Sequence, residues 1–231
     1  TPGNFEGNYI HYGVREHAMS GVMNGIALHS NFIPYGGTFL IFSDYCKPSI
    51  RLSALMQQRV IYVMTHDSIG VGEDGPTHQP VEQLAGLRAI PNLNVFRPAN
   101  LNETKAYYKY ALTHQTPSVF VLSRQDVTQF ETHEKDILKG GYIASKESLP
   151  LQVVLLATGS EVTPSLEAQK QLEQDNIGCR VVSIPHLEGF LNQPSSYIKQ
   201  VLPKEALRVA VEAGAKMPWY QLTQHIIGMS S

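Results

Sequence analysis

Residues 59–80 decide how this chain is read: Arg59-Val60-Ile61-Tyr62-Val63-Met64-Thr65, then His66-Asp67-Ser68-Ile69-Gly70-Val71-Gly72-Glu73-Asp74-Gly75-Pro76-Thr77-His78-Gln79-Pro80. The opening run is continuously apolar and of strand length, the pattern of a central parallel strand buried on both faces. Directly after it come two histidines, three acidic residues and three glycines. Glycines permit tight turns. In open parallel sheets, ligands gather outside the carboxyl ends of the strands. The stretch therefore reads as a substrate-handling and proton-transfer loop, as a metal site, or as an ordinary polar loop. Loose spacing and the lack of a third nearby histidine weigh against metal.

The same alternation extends in both directions. Val14 to Leu28 is apolar at Val14, Ala18, Val22 and Ile26, and again at Met19, Met23 and Ala27. Two adjoining stripes predict a helix buried over more than half its circumference. Pro34-Tyr35-Gly36-Gly37 reads as a turn, Thr38 to Phe42 as a short apolar strand or strand end, and the residues into Leu55-Met56 as a helix. Strands are predicted at Leu93–Phe96 and Ser118–Leu122. Asn100 with Glu103 makes a capping pair for a helix running through Leu112. Asp126 to Ser148 is polar, contains Gly140-Gly141, and reads as a linker. Beyond it lie a strand at Val153–Ala157, a helix at Glu161–Gln174, and strands at Arg180–Ser183 and Arg208–Val211. Strands alternating with helices give an α/β fold of two domains, each with a mostly parallel sheet flanked by helices. The expected division is 1–135, a linker at 136–149, and 150–231.

Composition narrows the partners. Of 231 residues, 16% are charged and the formal net charge is -2, so no basic field exists to hold nucleic acid. No apolar run approaches the ~18 residues of a membrane span, and no signal-peptide pattern opens the sequence. Cys46 and Cys179 lack metal-ligand spacing and read as free thiols in a reducing cytoplasm. Thr1 to Asn8 reads as loop without an initiating Met, and Gln221 to Ser231 as the start of a helix. A piece of a longer polypeptide is the expectation, with a complete short subunit as the alternative.

Other residues could carry chemistry. Glu16, in the first turn of an apolar helix, either caps backbone N–H groups or, if buried with a raised pKa, shares a proton with a ligand ring nitrogen. Phe39, Phe42 and Tyr45 suit either a core or a cofactor pocket. Arg124, just past a strand, suits a phosphate or an ion pair. Ala157-Thr158-Gly159-Ser160-Glu161 is a strand-to-helix turn without the full dinucleotide fingerprint.

Several of these motifs resemble the transketolase family: Gly13-Val14-Arg15-Glu16-His17-Ala18-Met19, Pro34 to Phe39, Thr65 to Gln83, Phe96-Arg97-Pro98-Ala99, Leu122 to Gln125 and Ala157 to Val162. The resemblance implies a thiamine diphosphate-binding fold, here most of the pyrimidine-binding domain, followed by part of a transketolase C-terminal-like domain. It implies thiamine diphosphate and Mg²⁺ as cofactors, with the metal ligands and the diphosphate motif in an N-terminal domain absent from this sequence. By the same resemblance, Glu16 faces the aminopyrimidine ring inside an aromatic pocket of Phe39, Phe42 and Tyr45. His66, Asp74, His78 and Arg124 take a sugar phosphate, with His66 and His78 also assisting proton transfers.

The implied reaction moves a two-carbon ketol unit between sugar phosphates in the pentose phosphate pathway, in a cytoplasmic homodimer with sites at the subunit interface. The isolated fragment is expected to be inactive. Three neighbours of this reading stay open: 1-deoxyxylulose 5-phosphate synthase, dihydroxyacetone synthase, and a half-enzyme subunit needing a separate diphosphate-binding partner. A fourth reading is a dinucleotide module around Gly159.

Overall fold

Ile61–Thr65 forms a central strand, and its first four residues are buried. The computed structural model describes Gly3 and residues 6–230. Thr1, Pro2, Asn4, Phe5 and Ser231, which include part of the expected opening loop, lie outside the described residues. Numbered in chain order, the first sheet contains β1 (Tyr35–Phe39), β2 (Ile61–Thr65), β3 (Asn94–Phe96) and β4 (Ser118–Val121). All are parallel, in the order β1-β2-β4-β3. The helices of this half are α1 (Glu16–His29), α2 (Ser43–Leu55), α3 (Gln83–Arg88) and α4 (Leu101–Thr113).

Two expectations here need correction. Residues 34–37 do not turn; Tyr35, Gly36 and Gly37 begin β1, and Leu40–Phe42 is a short 3₁₀ turn, not strand. The glycine at 36 serves close approach: a Cβ there would lie 2.5 Å from Met23 Sδ on α1. Helix α1 also buries less than expected. Met19, Ser20, Met23 and Asn24 are inside, whereas Val14 is 91% exposed and Val22 43%. One apolar stripe meets the sheet and the other faces outward. Between α1 and α2 runs a buried polar chain: Asn24 Nδ2 donates to the Ser49 carbonyl at 2.8 Å, and Ser53 Oγ donates to Asn24 Oδ1 at 2.6 Å.

The second half contains α5 (Glu134–Ile137), β5 (Tyr142–Ser145), β6 (Leu151–Ala157), α6 (Val162–Gln174), β7 (Gly178–Ser183), α7 (Leu187–Leu191), α8 (Ser195–Val201), β8 (Leu207–Ala215) and β9 (His225–Met229). The sheet order is β5-β7-β6-β8-β9, with β5 antiparallel to β7 and the rest parallel. The stretch expected as linker, 136–149, thus contributes an edge strand. The stretch from Gln221, expected to start a helix, instead forms a strand in its described part: His225–Met229 pairs with β8, as two adjacent isoleucines beside a sheet edge favour.

The halves are locked together by polar bonds. Asn100 caps α4, accepting from the Glu103 backbone N–H at 2.9 Å. Glu103, completely buried, accepts from the Ala99 N–H at 2.6 Å, from Tyr142 Oη at 2.7 Å and from Ser183 Oγ at 2.7 Å. Those last two donors belong to the second sheet. His186 sits edge-on to Phe96 of the first sheet, with ring centroids 4.8 Å apart. Burial, helped by the nearby positive charge of Arg88, pushes its imidazole down from 6.5 to about 4.

A folded pKa below the unfolded one means that acid favours the unfolded chain. This contribution is intact above pH 6.5 and is lost as pH falls toward 4. The expected result is a thermal midpoint that drops across this window at constant ionic strength. His186→Gln flattens that limb; an unchanged slope would show that other groups carry it.

Candidate active site

Parallel register sets Phe39 opposite Thr65 and Met64 opposite Val121, so β1, β2 and β4 end side by side. From that edge leave the Leu40–Phe42 turn into α2, the loop 66–80, and Ser123-Arg124-Gln125. A cavity of about 660 Å³ opens there, lined by Val14, Glu16, Thr38, Phe39, Phe42 and Tyr45. The Phe39 ring stacks on the His66 imidazole, with centroids 3.6 Å apart and planes 19° apart. Phe42 stacks beside Phe39 and Tyr45, at 6.0 Å from each. His78 stands edge-on to Phe42 at 5.5 Å. The structure therefore brings Phe39, Phe42, Tyr45, His66 and His78 together, although they come from two separate segments.

Glu16 is the first residue of α1 and lines this cavity half-buried, not fully buried as expected. Among the described residues none donates a hydrogen bond to its carboxylate, so the capping alternative does not apply to its side chain. It is the one acidic residue among those that line the cavity. Its place at the start of the helix also sets it where negative charge is favoured.

The two histidines are oriented locally. Nδ1 of His66 lies 2.9 Å from Thr65 Oγ1, and Nδ1 of His78 lies 2.9 Å from Thr77 Oγ1. Each ring thus has one nitrogen engaged by its preceding threonine. His66 adopts φ +58°, a left-handed conformation that residues with a Cβ seldom take. Asp74 lies in an exposed part of the loop between Gly72 and Gly75, both at positive φ. Arg124 is exposed past the end of β4. Among the described residues no hydrogen bond, ion pair or ring contact joins Asp74 or Arg124 to the aromatic cluster; both follow strands that end at its edge of the sheet. Nor could any group of three or more His, Cys, Asp or Glu among the described residues hold a metal ion. Burial pushes both thiols, Cys46 and Cys179, up to about 11, so neither is a nucleophile at neutral pH.

Sequence reasoning passed over the neighbour of His66. Asp67 is buried, and Arg97 Nε donates to its Oδ2 at 2.9 Å. Arg97 is itself 0% exposed and reaches the second domain, donating from Nη1 to Thr158 Oγ1 at 2.9 Å and to the Glu161 carboxylate. Thr158 Oγ1 donates to Glu212 Oε1 at 2.7 Å. Arg88 pairs bidentately with Glu212, at 2.9 Å on both oxygens, and Trp219 Nε1 donates to Glu212 at 2.8 Å. Burial pushes the Glu212 carboxyl up, but Arg88, Arg97 and Thr158 outweigh it and hold the group at about 2.

This cluster also removes the dinucleotide reading. The turn at Gly159 (φ +53°) is filled by the Arg97 guanidinium, since a Cβ there would lie 2.9 Å from its Nε. The carboxylates of Glu161 and Glu212 beside it would repel a diphosphate. One signal was legible: Arg97 directly follows a strand at the same carboxyl edge.

Comparison with known proteins follows the same division. Residues 2–129 match the family described as "Transketolase, pyrimidine binding domain", and residues 140–231 match the "Transketolase-like TK C-terminal domain". The chain is 52% identical over 224 residues to a transketolase of Sinorhizobium medicae, covering 95% of this chain and 32% of that protein. It superposes on the transketolase from Leishmania mexicana with a TM-score of 0.93 at 46% identity, over 98% of this chain and 34% of that one. It superposes on a Pichia stipitis transketolase complex with sedoheptulose 7-phosphate with a TM-score of 0.92 at 44% identity, over 96% and 33%. The chain spans about a third of the length of the curated relatives it matches. Two matched domains in this order, with the aromatic cavity in the first of them, place the chain in the transketolase family.

Proposed function

We propose that this chain supplies the aminopyrimidine side of a thiamine diphosphate site. The holoenzyme would transfer a two-carbon ketol unit from xylulose 5-phosphate to ribose 5-phosphate or erythrose 4-phosphate, in the pentose phosphate pathway. One observation carries the reading: a cavity with three aromatic rings and a single carboxylate that has no hydrogen-bond or ion-pair partner among the described residues. A flat heteroaromatic ring with a basic nitrogen fits that lining. Aromatic stacking contributes about 0.5–1.5 kcal/mol per pair beyond area burial. When bound, thiamine diphosphate supplies a carbanion nucleophile and an electron sink for breaking and remaking the bond beside a carbonyl.

The chain's own residues then divide the work. Glu16 holds a proton between its carboxylate and the ring nitrogen. Phe39, Phe42 and Tyr45 orient the ring and exclude water. His66 and His78 bind sugar oxygens and move protons, Asp74 accepts from a donor hydroxyl, and Arg124 takes the terminal phosphate with its planar fork. A relative crystallised with sedoheptulose 7-phosphate supports the sugar-phosphate class. No group of three or more His, Cys, Asp or Glu among the described residues would hold the Mg²⁺.

The apolar outer wall supports a second copy as partner. Val14 and Tyr45 line the cavity and are 91% and 64% exposed, which fits a homodimer with sites at the subunit interface. No helix among the described residues is long and apolar enough to cross a membrane. Two unpaired buried cysteines fit a cytoplasmic location.

Two measurements test the roles. In holoenzyme placed in deuterated water, the thiazolium C2 proton exchanges rapidly, and Glu16→Gln slows the exchange at least about a hundredfold. Equal exchange rates would remove Glu16 from that task. Asp74→Ala lowers kcat/KM more for donors with the matching hydroxyl configuration than for donors lacking it; equal losses would count against the contact.

A further inference from the structure

The His66 backbone is held in a strained conformation from both sides. On one side Thr65 is fixed in β2, opposite Phe39. On the other, Asp67 is fixed by Arg97, whose Nε and Nη2 approach Oδ2 at 2.9 and 2.8 Å. Ser68 Oγ donates to the other carboxylate oxygen at 3.1 Å. Arg97 itself is set by the second domain: by Thr158, by Glu161, and by its own carbonyl, which accepts from the Gly159 N–H at 3.1 Å. Glu161 is anchored in turn by the Ala213 N–H at 3.1 Å and by Ser160 Oγ at 2.8 Å.

A left-handed non-glycine residue persists only where its surroundings over-determine it. Apolar packing would join two domains at less desolvation cost than buried charges do. What such a cluster supplies is fixed geometry.

We propose that the C-terminal domain positions His66. Glu161 and Thr158 fix Arg97, Arg97 fixes Asp67, and Asp67 holds the chain at the turn that keeps the imidazole stacked on Phe39. Arg97, Glu161 and Thr158 are positioning residues that touch no substrate. The inference rests on the reading of His66 as a donor-binding group.

The test is a double-variant cycle in the intact holoenzyme, saturated with thiamine diphosphate and Mg²⁺, with xylulose 5-phosphate as donor. Glu161→Gln keeps the side-chain shape and removes the charge that holds Arg97. It lowers donor kcat/KM by about tenfold or more, with cofactor Kd unchanged within about twofold. In the His66→Ala background, adding Glu161→Gln causes no further loss.

An unchanged kcat/KM for Glu161→Gln overturns the proposal, as does an equal loss with and without His66, which is the signature of domain adhesion alone. If His66→Ala itself leaves donor kcat/KM unchanged, the donor-binding reading fails, and the inference falls with it. Should Glu161→Gln not yield folded enzyme, Thr158→Val enters the same cycle with the same criteria.

Discussion

Glu16→Ala in the intact holoenzyme lowers kcat by about a hundredfold or more while the fold survives. The size follows from the chemistry: a positioned proton-transfer group contributes roughly 10²–10⁴-fold. The survival of the fold follows from the structure. Glu16 lines the cavity half-buried, and no described residue donates to its carboxylate, so truncation breaks no internal hydrogen bond. What the fold loses is the favourable placement of a carboxylate at a helix start, about 0.3–1 kcal/mol. The informative comparison is therefore kcat against the thermal midpoint. A large fall in kcat with a nearly unmoved midpoint is the expected pair. Near-normal turnover would refute the assigned role, and a collapse of the midpoint would show that the residue is structural.

The second large effect is on stability. Arg97→Met removes the cation that faces Asp67, Glu161 and Glu212. Burial alone would weaken the positive charge of Arg97, but these three carboxylates hold it firmly protonated. Without it, Asp67 and Glu161 keep only neutral hydrogen-bond donors and lose their ion-pair partner, and Glu212 keeps Arg88 alone as its ion-pair partner. Removing one partner from a buried ion pair costs roughly 3–5 kcal/mol, because the remaining charge is stranded. Methionine retains the stem's volume, so the loss reports charge rather than a cavity. Chemical denaturation of the intact protein should show this loss at neutral pH, and a smaller one in acid where the carboxylates are protonated. A loss under about 1 kcal/mol at neutral pH would mean that the cluster is solvated or compensated in a way the geometry does not show.

The elements that could be read from the sequence are those whose local pattern matches their environment. β2 is apolar throughout and lies central, and Asn100 caps α4 as its spacing with Glu103 suggests. Glu103 itself was readable only in part: its side chain returns to the Ala99 N–H, one residue before the cap, but also gathers donors from the second sheet. Gly36 misled because a glycine needed for close approach, here to Met23, looks like a glycine needed for a turn. The two stripes of α1 report which faces are apolar, not which are covered within one chain. β9 is a short edge strand whose pairing partner, β8, supplies most of the reason for its shape.

The site shows the same division. His66, His78 and the aromatic residues follow strand ends in sequence and meet in space. Arg97 follows a strand end too, but its partners Thr158, Glu161 and Glu212 lie 61 or more residues away, and no local pattern announces them.

Ketol transfer is the central claim, and a steady-state assay on the intact protein tests it most directly. The assay contains thiamine diphosphate, Mg²⁺, xylulose 5-phosphate and ribose 5-phosphate, with products identified. Formation of glyceraldehyde 3-phosphate together with sedoheptulose 7-phosphate is the expected result. No turnover with this pair, and activity instead on pyruvate plus glyceraldehyde 3-phosphate, would contradict it.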